Sequence, residues 1–486
     1  MPMVRILLSA ACAVMLLAAW PAEAQLFDVY RTHKLVSETP AASLLKNVPC
    51  KAEAFDRPIE LEDAILLAVC ANPRTRQAWA NARAQAAAVG GAETAYLPTL
   101  NATAGYERDT LRSTYDGSAY GIGDVKNSQN SSSKYGMLNL SWVLFDFGKR
   151  SAALRQARQL LVAANASQDD ALQTVFFNTV QSYYAVREAY ASVDAARQSE
   201  KIAKESLAEA SAKHDAGVGT LSDQLQAQTT YRRAVLDRVG AEGDALAASG
   251  TLAVAMGFDA NTPVHIAPLE PIEDGARFVQ GVDQLIEEAK AQQPKLIAAR
   301  AKLEAARAKV DVAHAQGRPT VSLIGSLTQN NPSYQQQPLS LGSLQLNTSR
   351  GTTIGIQVTI PLFEGFATGY RIAQAQAQVE AQEAEVQNTE LQVSLDVWKS
   401  YQSLQTDTAN LGNSKDLLRD AQRSLDIARG RYRAGVGTLT ELLNAQAALS
   451  DAQKQRVLAI SKWRTARLRL AVSLGNLRLW SDNPYN

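Results

Sequence analysis

The sequence predicts an α plus transmembrane β-barrel fold that is built on an internal repeat, and three observations support this prediction. The chain from Lys149 to Ala216 contains neither glycine nor proline and is rich in strong helix formers. Such a helix would be about 100 Å long, which is typical of coiled coils rather than of globular cores. Segments of about ten residues alternate between apolar and polar residues, as transmembrane β-strands do. The whole order of elements then recurs once along the chain.

Composition and charge exclude several classes of protein. The 49 basic residues nearly balance the 48 acidic residues, and no basic patch of the kind that binds nucleic acid is visible. The sequence contains no phosphate-binding loop, no HExxH motif and no CxxC motif. We therefore expect neither an enzyme nor a cofactor, so that energy for any transport would come from a partner protein.

The N-terminal residues have the pattern of a signal peptide. Arg5 precedes an apolar segment that ends at Trp20, and Ala22-Glu23-Ala24 forms a cleavage site with small residues. We predict a signal peptide over residues 1–24, with an uncleaved anchor as the alternative. The mature chain would begin with an N-terminal arm over residues 25–58, which shows no clear periodicity.

Two cysteines, Cys50 and Cys70, remain after cleavage at the predicted site. An isolated pair in an oxidising compartment favours a disulfide, and two unpaired thiols are the alternative. A metal site would need more ligands, and the four histidines are scattered along the chain. We therefore expect no metal and a bridge between the arm and the first helix.

The first structural repeat is predicted over residues 59–258. Two helices precede Pro98, which ends the second of them. After Pro98 the sequence predicts strands at about 99–112 and 134–145, separated by a polar loop at about 113–133, and then a long helix at about 147–216. A tight turn follows, in which Gly217 can take the left-handed conformation and Thr220 can cap the next helix. Gly219 lies between them.

The second structural repeat is predicted over residues 281–475, after a connector at 259–280 and before a C-terminal tail at 476–486. Its strands are predicted at about 320–329 and 351–363, and its long helix at about 366–434. Gly435-Val436-Gly437-Thr438 repeats Gly217-Val218-Gly219-Thr220. Each half therefore has the order helix, strand, strand, long helix, tight turn, helix.

Four strands of membrane length cannot close a barrel, and an open sheet edge in lipid would leave backbone groups without hydrogen bonds. Two chains would give eight strands, which is too narrow for a useful channel, whereas three chains give twelve. The sequence therefore predicts a homotrimer with a twelve-stranded transmembrane barrel, in contact with membrane lipid. Because the long helices continue from the strands, we expect a barrel of coiled-coil helices beneath it.

This layout resembles the TolC family of outer-membrane channels over about residues 59–475. The motifs that carry the resemblance are Asn72-Pro73, Tyr96-Leu97-Pro98, Leu144-Phe145-Asp146-Phe147-Gly148, the two glycine turns and Glu441-Leu442-Leu443-Asn444-Ala445. The resemblance implies that the barrel lies in the outer membrane of a Gram-negative bacterium and that the helical tunnel extends into the periplasm. It also implies that the protein is the exit duct of a tripartite export system. Its partners would be a periplasmic adaptor and an inner-membrane transporter, either ATP-driven or proton-driven.

The resemblance also implies roles for residues near the two turns. Glu441 and Asn444 take the two places of an acidic ring that constricts the periplasmic entrance, so this chain would supply three carboxylates per trimer rather than six. Tyr432 and Asp223, with Ser222 beside it, take the places of a contact that keeps the tip closed. An arginine that completes this contact elsewhere in the family is replaced by Gly437. Helix capping is the alternative role for Asp223 and Glu441.

The cargo is open at this stage. The pair Cys50 and Cys70 with Ala71-Asn72-Pro73 resembles family members that serve type I protein secretion, and multidrug efflux is the alternative. A periplasmic adaptor also has long helical hairpins, but it would carry lipoyl-like modules rather than pairs of membrane-length strands. A trimeric adhesin would show sustained heptads without returning strands.

Overall fold

A computed structural model describes residues 28–40, 57–121, 123–267, 281–335 and 348–475. The predicted signal peptide, Cys50, most of the connector and the C-terminal tail lie outside the described residues. The helices and strands in chain order are α1 (Leu61–Ala71), α2 (Pro73–Thr94), β1 (Thr99–Tyr115), β2 (Val125–Phe145), α3 (Lys149–Asp215), α4 (Leu221–Ala255), α5 (Val282–Gln292), α6 (Pro294–Gln316), β3 (Thr320–Gln335), β4 (Ser349–Thr359), α7 (Ala367–Arg433) and α8 (Leu439–Ser473).

The two repeats match in length as well as in order. The long helices α3 and α7 each have 67 residues. The returning helices α4 and α8 each have 35 residues. None of the helices in the described part of the chain is both long and apolar enough to cross a membrane.

The four strands form one antiparallel sheet in the order β1-β2-β3-β4. Leu100 pairs with Leu140, which pairs with Gly325, which in turn pairs with Ile354. Residues that pair directly share one face of a sheet, so these positions define one side of all four strands. In the described residues β1 and β4 each have one edge without a partner strand, as expected if the barrel closes between chains.

One face of this sheet is apolar and exposed. Leu100, Ile354 and Ile356 lie on it with 62%, 76% and 69% of their surface exposed. Exposed aliphatic side chains in a continuous band are unfavourable in water and are typical of a surface that contacts lipid.

The strands extend further than the sequence predicted. β1 continues to Tyr115 and β2 begins at Val125, so most of the segment 113–133 is paired strand and the prediction of a loop there is wrong. β3 likewise continues beyond residue 329, whereas β4 ends at Thr359 because Pro361 follows and has no N–H group to donate. The added segments are polar on both faces, so they lack the apolar alternation that marks a strand.

The junction between β2 and α3 is held by the guanidinium group of Arg150. It donates to Asp146 Oδ2 at 2.8 Å and to the carbonyl of Val143 at 2.7 Å. It also lies 4.7 Å from the centroid of the Tyr96 ring. Gly148, with φ of 92°, supplies the left-handed residue that lets the strand turn into the helix.

The chain divides into two compact units that differ from the two sequence repeats. The first unit comprises the described residues within 1–32, 86–159 and 304–381, and it contains the sheet. The second comprises the described residues within 33–85, 160–303 and 382–486, and it contains the tight turns and three apolar clusters. Each repeat thus contributes to both units.

The core of the second unit includes a cluster around α1 and α3. Tyr183 is 1% exposed and donates from its hydroxyl to the carbonyl of Ile59 at 3.1 Å. Leu172 and Leu252 are fully buried beside it. Burying each such side chain stabilises the fold by about 1.5–3 kcal/mol.

Part of the N-terminal arm is more ordered than its lack of periodicity indicated. A short 3-10 helix covers Thr32–Leu35, and Val36 is buried. The indole N–H of Trp79 donates to the carbonyl of Ser37 at 2.8 Å. Trp79 binds a backbone carbonyl of this segment, and such a contact leaves no periodic pattern in the segment's own side chains.

Candidate functional site: the tips of the helical hairpins

The two glycine turns connect α3 to α4 and α7 to α8. Gly217 and Gly435 have φ of 74° and 76°, in the left-handed region. The hydroxyl oxygen of Thr220 accepts from the backbone N–H of Asp223 at 3.1 Å, and Thr438 accepts from Glu441 at the same distance. Each turn therefore ends one helix at a left-handed glycine and starts the next with a threonine cap.

The second glycine of each turn is required by a close backbone approach. A Cβ atom on Gly219 would lie 2.9 Å from the backbone nitrogen of His214, and one on Gly437 would lie 2.9 Å from the Cβ of Arg431. Contacts shorter than 3.0 Å force the turn to move. An arginine at position 437 is therefore incompatible with this turn geometry, which is a physical reason for its replacement by glycine.

Tyr432 belongs to the last turn of α7 and is buried, with 6% of its surface exposed. Lys213 Nζ donates to the carbonyl of Tyr432 at 2.6 Å and lies 3.5 Å from the ring centroid. Burial raises the pKa of the Tyr432 hydroxyl, and the carboxylates of Asp223 and Glu209 raise it further. The tyrosine is therefore neutral and held by a cation at its ring.

Asp223 is close enough to influence Tyr432 electrostatically, but no hydrogen bond joins the two side chains in the described part of the chain. Ser222 is exposed on the first turn of α4. The structure thus brings the predicted pair Tyr432 and Asp223 into one neighbourhood, where Lys213 makes the direct contacts with the tyrosine.

Glu441 and Asn444 lie one turn apart on α8 and line one open cleft of about 880 Å³, together with Asp420 and Arg423. Arg431 Nε lies 3.1 Å from Glu441 Oε1. Both side chains are about half exposed, with 50% and 43% of their surfaces accessible, so solvent weakens the pair. The guanidinium group offsets part of the negative charge that the sequence assigned to this position.

Two further ion pairs join α3 and α7 near the tip, and sequence reasoning missed both. Arg433 Nε lies 2.6 Å from Glu209 Oε1, and Arg429 pairs with Glu205. The available signal was a spacing of four residues on both helices, which puts each set on one helical face. The spacing alone does not predict the ion pairs, because the sequence does not show that these faces of α3 and α7 meet.

The described residues bear on two further features considered from the sequence, a metal site and a disulfide bond. They contain no group of three or more histidine, cysteine or acidic side chains that could hold a metal ion. Cys70 takes part in a disulfide bond. Its pairing with Cys50 stays a prediction, because Cys50 lies outside the described residues.

Comparison with known proteins identifies the family. The model of the family described as outer membrane efflux protein matches residues 64–258 and 285–476. Protein CyaE of Bordetella pertussis is 35% identical over 88% of this chain and 86% of that protein. Outer membrane protein TolC of Escherichia coli is 23% identical over 84% of this chain and 80% of TolC. Alkaline protease secretion protein AprF of Pseudomonas aeruginosa is 25% identical over 73% of this chain and 72% of AprF.

Solved structures agree with the predicted fold. The outer membrane protein VceC from Vibrio cholerae superposes with a TM-score of 0.69 at 21% identity, covering 86% of this chain and 96% of VceC. The predicted fold class, a trimeric barrel continued by a helical tunnel, is confirmed by this likeness. With the tip turns in both repeats and the exposed apolar face of the sheet, these matches lead to one conclusion. The chain belongs to the outer membrane efflux protein family, the TolC-type channels of the Gram-negative outer membrane.

Proposed function

We propose that this outer-membrane channel is the exit duct for a secreted protein in a type I system. The observation that carries the proposal is the likeness to AprF, an alkaline protease secretion protein. The bonded state of Cys70 and the motif Ala71-Asn72-Pro73 add to it, because they belong to the features that resemble secretion members.

The assembly would consist of three copies of the chain. The free edges of β1 and β4 would pair between neighbouring copies, which removes every open edge from the membrane. The helical hairpins would meet a periplasmic adaptor and an ATP-driven transporter of the inner membrane. Those partners would supply the energy.

The tip would be the gate of this duct. Lys213, Arg429 and Arg433 connect α3 and α7 within a chain through one cation–π contact and two ion pairs. Such pairs are individually weak when they are exposed, so a partner that binds the open form better could shift the equilibrium. Glu441 and Asn444 would line the constriction, with Arg431 reducing its negative charge.

A cross-link across the tip offers a direct test. In Glu209→Cys with Arg433→Cys, a bis-thiol cross-linker that a reductant can cleave would replace the ion pair of 2.6 Å with a covalent link. We expect a strain without the native gene to lose specific proteins from its culture medium. The wild-type gene should restore them, whereas the double-cysteine variant should restore them only after a reductant is added. Arg433→Cys alone is the matched control and should secrete without reductant.

Multidrug efflux is the second candidate, because the matching family is described as outer membrane efflux protein. For the deletion strain it predicts two results that differ from those expected for protein secretion. The deletion strain would become sensitive to several antibiotics, and the proteins in its medium would stay unchanged. That outcome would overturn the secretion proposal while leaving the outer-membrane channel intact.

A further inference from the structure

The charged residues of the sheet are sorted by sign between its two faces. The strand register places Tyr106 opposite Lys134 and Arg108 opposite Ser132, on the face that carries Leu100 and Leu140. All charged residues of the strands on this face are basic, and they are Arg108, Arg112, Lys126, Lys134 and Arg350. The charged residues on the opposite face are Glu107 and Asp109.

The basic side chains begin where the apolar band ends. On β2 the outward residues run from Phe145, which lies beyond a bulge, through Trp142, Leu140 and Leu138 to Lys134. The residues of β3 that pair with the two ends, Val321 and Asn331, are ten residue steps apart. Ten steps span about 33 Å along the strand, or about 25 Å along the membrane normal at the usual strand tilt. That height matches the apolar band of an outer-membrane barrel. Lys134 and Tyr106 therefore lie at its border.

The border in question faces the outside of the cell. The helices of this family lie in the periplasm, and β2 leads into α3 at Phe145. The turn between β1 and β2 is at the other end of the strands, so the row of Lys134 and Tyr106 lies at the outer leaflet. Tyrosine is common at such membrane borders because its ring is apolar and its hydroxyl is polar.

These cations have no partner within the described chain. Arg108, Lys134 and Arg350 are exposed, and none of them lies within 4.0 Å of a described carboxylate. Elsewhere in the first unit arginines are paired, as Arg155 is with Asp311 and Arg158 with Glu93. A set of unpaired cations on one face, beside lipid, indicates a ligand with negative charge.

We propose that this belt of Arg108, Lys134 and Arg350 binds the phosphate groups of lipopolysaccharide in the outer leaflet. Arg108 and Lys134 are diagonal neighbours across β1 and β2, about 7–8 Å apart at the backbone, so their flexible side chains can reach one phosphate together. Arginine and lysine are the usual partners of phosphate oxygens. The acyl chains of the same lipid would cover the apolar band below. The inference depends on the outer-membrane location and not on the cargo.

Binding of purified full-length trimers to two lipids would test this proposal. The probes, added to trimers in nonionic detergent, are diphosphorylated lipid A and lipid A from which both phosphates have been removed. Arg108→Gln with Lys134→Gln should weaken binding to the phosphorylated lipid by about fivefold for each cation removed. Binding to the dephosphorylated lipid should not change.

Two control variants make the result specific to the face and to the position. Glu107→Gln with Asp109→Asn lies on the same strand but on the opposite face, and it should keep wild-type binding. Lys201→Gln with Lys204→Gln removes the same charge from exposed positions of α3 and should also bind normally. Trimer mass by light scattering shows that each variant has assembled.

Three results would overturn the proposal. The first is wild-type affinity of the Arg108 and Lys134 double variant for phosphorylated lipid A in assembled trimers. The second is equal affinity of the wild type for both lipids, which would mean that the barrel binds acyl chains only. The third is a comparable loss in the Lys201 and Lys204 variant, which would mean a response to net charge alone.

Discussion

Lys213 connects the ends of two long helices by binding one residue twice. Its ammonium group donates to the carbonyl of Tyr432 at 2.6 Å and lies 3.5 Å from the centroid of the same ring. Tyr432 is in the last turn of α7, where a cation also stabilises the negative end of the helix dipole. A single side chain thus serves as hydrogen-bond donor, cation–π partner and helix cap at the tip.

Lys213→Met should loosen the tip. The change keeps the length of the side chain and removes the cation, which should cost about 1 kcal/mol of interaction between α3 and α7. We expect more frequent opening in planar bilayers and greater sensitivity of cells to large antibiotics. Lys201→Met, at an exposed position of the same helix, is the matched control.

Tyr432→Phe tests whether the tip is held by the contacts of Lys213 with Tyr432 or by a hydrogen bond from the Tyr432 hydroxyl to Asp223. The phenyl ring keeps both the cation–π contact and the backbone carbonyl, so the variant should open no more often than the wild type. If Tyr432→Phe opens the channel as much as Lys213→Met does, the hydroxyl group holds the tip and Lys213 does not.

The ion pair of Arg433 and Glu209 should respond to a charge swap. Either single reversal, Arg433→Glu or Glu209→Arg, places like charges together and should increase single-channel conductance. The double reversal should restore the wild-type conductance. Because 57% and 25% of the two side chains is exposed, the coupling should be about 0.2–1 kcal/mol and should weaken at high salt. Additive effects of the two reversals would show that the residues do not interact.

Selectivity at the entrance should depend on Arg431 as well as on Glu441. If Glu441 lines the constriction as proposed, Glu441→Gln should weaken cation selectivity and block by divalent ions, since it removes a carboxylate from the entrance. Arg431→Gln should strengthen both, because it frees that carboxylate from its partner 3.1 Å away. Reversal potentials in a salt gradient measure the two effects. If neither variant changes them, Glu441 only stabilises the start of α8.

Tyr184 should make the helical core sensitive to alkali. Burial raises the pKa of its hydroxyl to about 12, although Arg464 and Arg467 oppose this shift. The unfolded chain ionises this group near pH 10, so the folded state holds the proton more tightly. The stabilisation is complete below pH 10 and is lost as the pH rises to about 12, by about 3 kcal/mol.

Thermal melting of the helices at pH 9 and at pH 12 measures this effect. Tyr184→Phe cannot ionise, so its melting temperature should fall less over this interval than that of the wild type. Tyr190→Phe, at an exposed position of α3, should melt like the wild type. Equal falls in all three proteins would assign the alkaline sensitivity to other groups.

The predicted bridge of Cys50 to Cys70 should stabilise the start of the first repeat. On the chain-entropy model a loop of about twenty residues contributes about 3 kcal/mol. Peptide mapping without reductant, on protein purified from outer membranes, should recover the Cys50 and Cys70 peptides joined by a disulfide. Cys50→Ser should leave a free thiol at Cys70 and lower the melting temperature. Recovery of both cysteines as alkylated thiols from the wild type would contradict the pairing.

Sequence patterns located the elements that have strong local signals. Helix α3 was predicted to within two residues at its N-terminus and one at its C-terminus, because it contains no glycine or proline and is followed by Gly217. The apolar halves of the strands were visible as alternation. Their polar outer halves were missed because two polar faces produce no alternation, and backbone pairing alone holds them in the sheet.

Contacts between distant segments were the other part that sequence patterns could not provide. Glu209 and Arg433 are separated by 224 residues. Their pairing depends on the rotation of each helix about its axis, which follows from packing along the whole hairpin. The resemblance to the family pointed to the tip, whereas the side chains that make contacts there could be identified only from the structure.

The equal lengths of the two hairpins restrict how this protein can change over evolutionary time. One residue inserted into α3 would advance its end by about 1.5 Å and rotate it by about 100°, so Glu205 and Glu209 would turn away from Arg429 and Arg433. Only a matching insertion in α7 would restore their alignment. Substitutions along the hairpins can accumulate one at a time, whereas changes of length must be inherited as pairs, one in each half of the gene.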